Sequence, residues 1–161
     1  MIEDRQLSPH FSLYELTTTV HQEFQEQNRI LTEDQATKLL VLANLLEEVR
    51  LILDVPMKVT SGYRCPALNV KVGSTLRSQH LLCEAADFYP KDMARDEAFK
   101  ILRHAVKDKK LHVGQLIWEK SNREGLKEWI HVSLGAPYRE LHRTGQILTM
   151  VDGQYTLIET A

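Results

Sequence analysis

Ser78-Gln79-His80-Leu81-Leu82-Cys83-Glu84-Ala85-Ala86-Asp87 sets a histidine and an aspartate seven positions apart, where a loop gives way to an apolar stretch. Forty-four residues beyond Asp87 stands a second histidine, His131, inside the alternating segment Trp129-Ile130-His131-Val132-Ser133-Leu134. Two imidazoles and one carboxylate are the donor set of a catalytic zinc site, whose fourth position is left to water. Donors this far apart in sequence meet only if a sheet brings them together. The reading of three residues is therefore also a reading of the fold.

Outward from that stretch, Glu84 to Tyr89 reads as a strand closed by Pro90, and Met57-Lys58-Val59-Thr60 as a short strand before it. Between them lie the loop Ser61-Gly62-Tyr63-Arg64-Cys65-Pro66 and a polar connector with Asn69, Gly73 and Ser74. Val113 to Glu119 and Glu128 to Leu134 read as strands around a polar loop, Lys120 to Lys127. Near the C-terminus, Asp152-Gly153 between β-rich flanks marks a hairpin over about 146–159.

The surest helix follows Thr32-Glu33-Asp34-Gln35, a capping box with acidic residues in the first turn. Ala36, Leu39, Leu40, Ala43, Leu46, Val49 or Arg50, and Leu53 recur at helical spacing, and Asp54-Val55-Pro56 ends the run. A second amphipathic helix covers about Ala94 to Val106, with Ala98, Ile101, Leu102 and Ala105 inward. At the N-terminus, Ser8 to Leu16 reads as an extended entry and one helical turn, with Ser12 capping, Glu15 three residues on, and Phe11 and Leu16 as anchors. His21 to Arg29 reads as a polar, partly mobile link. The sum is an α+β fold with a small antiparallel sheet backed by helices.

The 161 residues have room for one domain over 1–161, with a core at about 8–135 and the hairpin as an extension. A net charge of −2 without a Lys/Arg block excludes nucleic acid and anionic lipid as evident partners. No apolar run is long enough to cross a bilayer, and the first residues lack the features of a signal peptide. Synthesis in the cytoplasm without self-encoded export is the expectation. Cys65 and Cys83 read as small, partly buried thiols; a disulfide between them is open, and finger-type zinc ligation lacks the spacing. Nothing in the sequence sets the oligomeric state.

Ser61-Gly62-Tyr63-Arg64, then Ser78-x-His80 with Ala85 and Asp87, then Trp129-x-His131-x-Ser133, occur in the order and at separations that resemble the zinc D-Ala-D-Ala carboxypeptidases and L-alanyl-D-glutamate endolysin peptidases. The chain looks closest to the small phage- or prophage-borne members, which share the opening His-Phe-x-Leu-x-Glu-Leu. The resemblance covers roughly residues 8 to 135 and implies the fold shared with vancomycin-resistance dipeptidases and the Hedgehog signalling domain. It implies zinc held by His80, Asp87 and His131, Arg64 meeting a substrate carbonyl or carboxylate, and Ser78 touching the peptide. The implied activity is hydrolysis of peptidoglycan stem peptides, as carboxypeptidase or endopeptidase, at a wall reached with phage or holin assistance.

Two glutamates compete to be the general base. Glu128, three before His131, matches the acidic-x-x-His pattern of several branches, while Gln115-Leu116-Ile117-Trp118-Glu119 matches the Gln-Leu-Ile-x-Glu strand of the phage-type branch. Strand alternation favours Glu119, which shares a face with His131 if residue 119 lies opposite 129. The family usually carries glycine at position 83, so Cys83 is expected to fit only where the local φ is negative. Trp118 and Trp129 are expected as core or cleft walls, and His10, His21, His104, His112 and His142 as surface or capping residues. Two rivals stand beside the wall peptidase: a catalytically idle binding module of the same fold in a phage particle, and a zinc peptidase for other peptides.

Overall fold

The computed structural model describes residues 2–135 and 144–161. His142 lies outside them. The described chain forms two compact units, Met1–Glu47 with Val59–Ala86 and Glu48–Lys58 with Asp87–Ala161.

In the first unit, a two-stranded ribbon of β1 (Gln6–Ser8) and β2 (Phe11–Ser12) leads to a 3₁₀ turn at Glu15–Thr17. Ser12 and Glu15 exchange hydrogen bonds as their spacing predicts: the Ser12 N–H donates to Glu15 Oε2 at 2.9 Å, and the Glu15 N–H to Ser12 Oγ at 3.3 Å. Phe11 and Leu16 are buried. The link after them carries short helical pieces: a 3₁₀ turn at Gln22–Phe24 runs into α1 (Gln25–Asn28). Gln22, Gln25 and Asn28 in this link bond to backbone groups; Gln25 Nε2, for instance, donates to Thr17 O at 3.0 Å.

The long helix α2 (Glu33–Leu53) begins at the expected box, with Thr32 N–H donating to Gln35 Oε1 at 2.9 Å and Gln35 N–H to Thr32 Oγ1 at 3.2 Å. Its buried arc centres on Leu39, Leu46 and Leu53 and takes in Leu42 and Leu45. Leu40, expected inside, lies round the flank of that arc and is 43% exposed. The helix stops at Asp54, whose φ of 53° leaves the helical region. After β3 (Met57–Ser61), the expected polar connector begins as a helix, α3 (Pro66–Lys71), with proline in its first turn.

The larger sheet has six strands in the order β3-β4-β6-β5-β7-β8, with β4 at Ala85–Pro90, β5 at Gln115–Ser121, β6 at Lys127–Ser133, β7 at Gln146–Val151 and β8 at Gln154–Thr160. It is neither small nor purely antiparallel, because β5 and β7 pair in parallel. Each hairpin is written locally, β5 with β6 and β7 with β8. Local turn signals do not say which free edge the second hairpin joins, and it joins β5. Asp152 (φ 48°) and Gly153 (φ 86°) both take the positive φ that a type I′ turn requires.

In the second unit, α4 (Arg95–Lys107) lies against β5 and β6. It buries Ala98, Phe99, Leu102, Ala105 and Val106, whereas Ile101, expected inside, is half-buried. Phe99 meets Trp118 with ring centroids 5.8 Å apart. Among the described residues, no helix is long and apolar enough to cross a membrane.

Candidate metal centre

His80 is held by a chain of turns. Gln79 C=O accepts from the N–H of Glu84 at 3.0 Å, and His80 C=O from that of Cys83 at 3.4 Å, the pattern that closes a Schellman motif with Cys83 at its left-handed position. The φ of Cys83 is +60°, so the condition under which cysteine was expected to fit is not met. This backbone site favours glycine, and cysteine occupies it fully buried. Burial pushes its thiol up to about 12. Cys65 is likewise buried, and both thiols are free.

Gly62 orients the His80 ring. Its carbonyl lies 2.6 Å from His80 Nδ1. A carbonyl oxygen only accepts, so Nδ1 carries the proton of the neutral ring and the lone pair stands on Nε2. Any residue could supply that carbonyl, but position 62 has room only for glycine: a Cβ there would lie 2.2 Å from the Leu16 carbonyl oxygen, which also receives the Tyr63 N–H at 2.8 Å.

Asp87, Glu119 and His131 sit on regular strands. The β5–β6 register places Glu119 opposite Trp129 and Ile117 opposite His131. Directly paired residues share a face, and residues two apart on a strand share it too, so Glu119 and His131 project to one side. His131 Nδ1 approaches Asp87 Oδ1 at 2.9 Å and Glu119 Oε1 at 3.9 Å. All three side chains are buried. Glu128 pairs with Lys120 instead, on the other face, and its Oε1 lies 3.4 Å from Lys120 Nζ.

Arg64 is half-buried, its Nε donating to Ser61 Oγ at 3.0 Å, and Ser78 is half-buried before His80. Trp129 packs on Ile117, Leu148 and Met150 on the His131 face, and Trp118 lies on the opposite one. His10 is bound through Nδ1 to Glu47 Oε2 at 2.8 Å, and His104 Nδ1 to Lys100 O at 2.8 Å, both remote in role from the site. His21 lies 3.8 Å from Glu23, and His112 is exposed.

His80, Asp87 and His131 each offer one ligand atom, and these atoms lie within 4.8 Å of one another. Two imidazoles and a carboxylate suit zinc better than magnesium or calcium, which favour all-oxygen shells. A carbonyl that fixes the tautomer of a ligating histidine is the usual outer support of such an ion. The residues therefore fit zinc, and the arrangement defines a metallohydrolase-type centre with a carboxylate beside the ligands.

Comparison with known families agrees with that class. The peptidase M15 family matches residues 9–133, more than three-quarters of the chain, and the chain belongs to this family of zinc D-Ala-D-Ala carboxypeptidase-like metallopeptidases. A comparison with curated proteins found no match. Sequence reasoning missed Asn28, whose buried side chain binds the Tyr63 carbonyl and the Cys65 N–H. No pattern in its polar, Gln-rich surroundings signals that role.

Proposed function

We propose that this protein hydrolyses an amide bond in peptidoglycan stem peptides, as a carboxypeptidase or an endopeptidase, with zinc held by His80, Asp87 and His131. The observation that carries the reading is the buried carboxylate of Glu119, 3.9 Å from His131 Nδ1 on the same sheet face. When bound, zinc supplies a Lewis acid that polarises a carbonyl and makes water acidic enough to attack near neutral pH.

Glu119 takes the proton of the attacking water and returns it to the leaving amine. Glu128, on the other face and engaged by Lys120, is left as a surface residue. Arg64 faces the negative charge that develops on the carbonyl oxygen, and Ser78 contacts the peptide. The wall substrate rests on the motif resemblance to phage-type members. It goes with action at the cell wall after phage- or holin-assisted release.

Purified protein incubated with defined muropeptides, with chelator and then with zinc restored, tests this directly. Cleavage that stops with chelator and returns with zinc supports it. Metal-loaded protein that binds muropeptides without cleaving them would make the chain an idle module of a phage particle. Cleavage confined to non-wall peptides would reassign the substrate.

A further inference from the structure

Arg64 is tied down through its own N–H, its Nε and a peptide group on either side. The preceding carbonyl, of Tyr63, accepts from Asn28 Nδ2 at 2.9 Å. The following N–H, of Cys65, donates to Asn28 Oδ1 at 2.8 Å. The N–H of Arg64 itself donates to the His80 carbonyl at 3.1 Å, and its Nε to Ser61 Oγ at 3.0 Å. One side chain, Asn28, thus holds one group from each of the two peptide units flanking Arg64.

Asn28 is itself immobilised. It is 0% exposed, and its second Nδ2 bond goes to the Thr17 carbonyl at 2.7 Å. An asparagine amide carries two donors and a carbonyl acceptor, and here both kinds are used on backbone groups. The geometry is asymmetric in a telling way: two of its three bonds converge on the residues next to Arg64. Ser61 then fixes the guanidinium from its Nε edge, which orients the plane of the fork.

We propose that Asn28 and Ser61 are positioning residues for Arg64, Asn28 setting its backbone and Ser61 the direction of its guanidinium. The inference rests on the reading of Arg64 as the group that meets the substrate carbonyl. Pre-orientation of that kind matters because a displacement of about 1 Å in a catalytic group can lower a rate about 10²-fold. Neither residue touches the metal ligands through its side chain in the hydrogen bonds above. Their loss should therefore appear in kcat and spare zinc content.

The test is a double-mutant cycle on the zinc-loaded protein with a defined muropeptide, following kcat, KM, zinc content and thermal unfolding. Ser61→Ala and Asn28→Ala are each expected to lower kcat about 10-fold or more, with one zinc retained, because each lets a catalytic group drift from its productive position. Ser61→Thr, which keeps the hydroxyl, is expected to restore most of the loss. In an Arg64→Ala background, either change is expected to lower kcat less than about twofold further, because groups acting through one residue are not additive.

Undiminished kcat in Ser61→Ala, or the same loss repeated in the Arg64→Ala background, overturns the inference. If Asn28→Ala does not fold, the Ser61 arm alone decides. Full turnover in Arg64→Ala overturns the underlying role of Arg64, a failure distinct from additive losses in the cycle.

Discussion

The loop that carries His80 and the strand pair that carries Glu119 and His131 reach precision by different means. On β5 and β6 the placement follows from alternation: once residue 119 lies opposite 129, every side chain's face is settled. In the loop no period operates. His80 depends on a carbonyl from Gly62, a left-handed turn at Cys83, and backbone bonds placed one at a time. A strand tolerates many sequences that keep its period, whereas the loop rests on a few groups placed one by one.

The sharpest way to break this contrast lies on the strands. Glu119→Gln should lower turnover by about 10²–10⁴ with metal retained, because it removes the proton-accepting carboxylate while keeping size. Glu128→Gln should stay within a few-fold, since that carboxylate faces Lys120. Kinetics on zinc-loaded variants check both. The opposite result would mean that the face assignment does not govern the chemistry.

On the loop side, Gly62→Ala should destabilise the protein by about 1–3 kcal/mol, since the added methyl meets the Leu16 carbonyl and one of the two must move. The same shift should weaken metal binding through His80. Thermal unfolding and a zinc titration read the two effects separately. Native stability in the Gly62→Ala variant would show that the loop yields more than its contacts suggest.

Cys83 gives a smaller effect of the same kind. Cys83→Gly removes a left-handed strain of about 1–2 kcal/mol but also a buried side chain, so the net change should stay within about 1 kcal/mol. Cys83→Val adds a branched side chain at that φ and should be clearly worse in denaturant unfolding. The smallest expected signal is chemical. With its pKa pushed up to about 12 by burial, the Cys83 thiol stays protonated at pH 8 and should resist alkylation until the protein unfolds.

The same contrast explains what the sequence made legible. The capping box at Thr32 and Gln35, the Asp152-Gly153 turn and the alternation around Glu119 are local patterns, and each structure follows its pattern. The parallel pairing of β5 with β7 was not legible, because it depends on which edge a finished hairpin joins. Asn28 was invisible for another reason. Its partners, Thr17, Tyr63 and Cys65, are backbone groups, and backbone groups leave no mark in a sequence. Cys83 was legible as a departure from the family's glycine, but the sign of its φ was not.

We propose that His80 from the loop and Asp87 and His131 from the strands hold one zinc ion. Elemental analysis of the purified protein and of His131→Ala, each before and after zinc reconstitution, addresses it directly. One zinc per chain in the native protein, and none in a His131→Ala variant that retains its helical signal, is the predicted result. A native protein that carries no zinc and takes up none on reconstitution would contradict it.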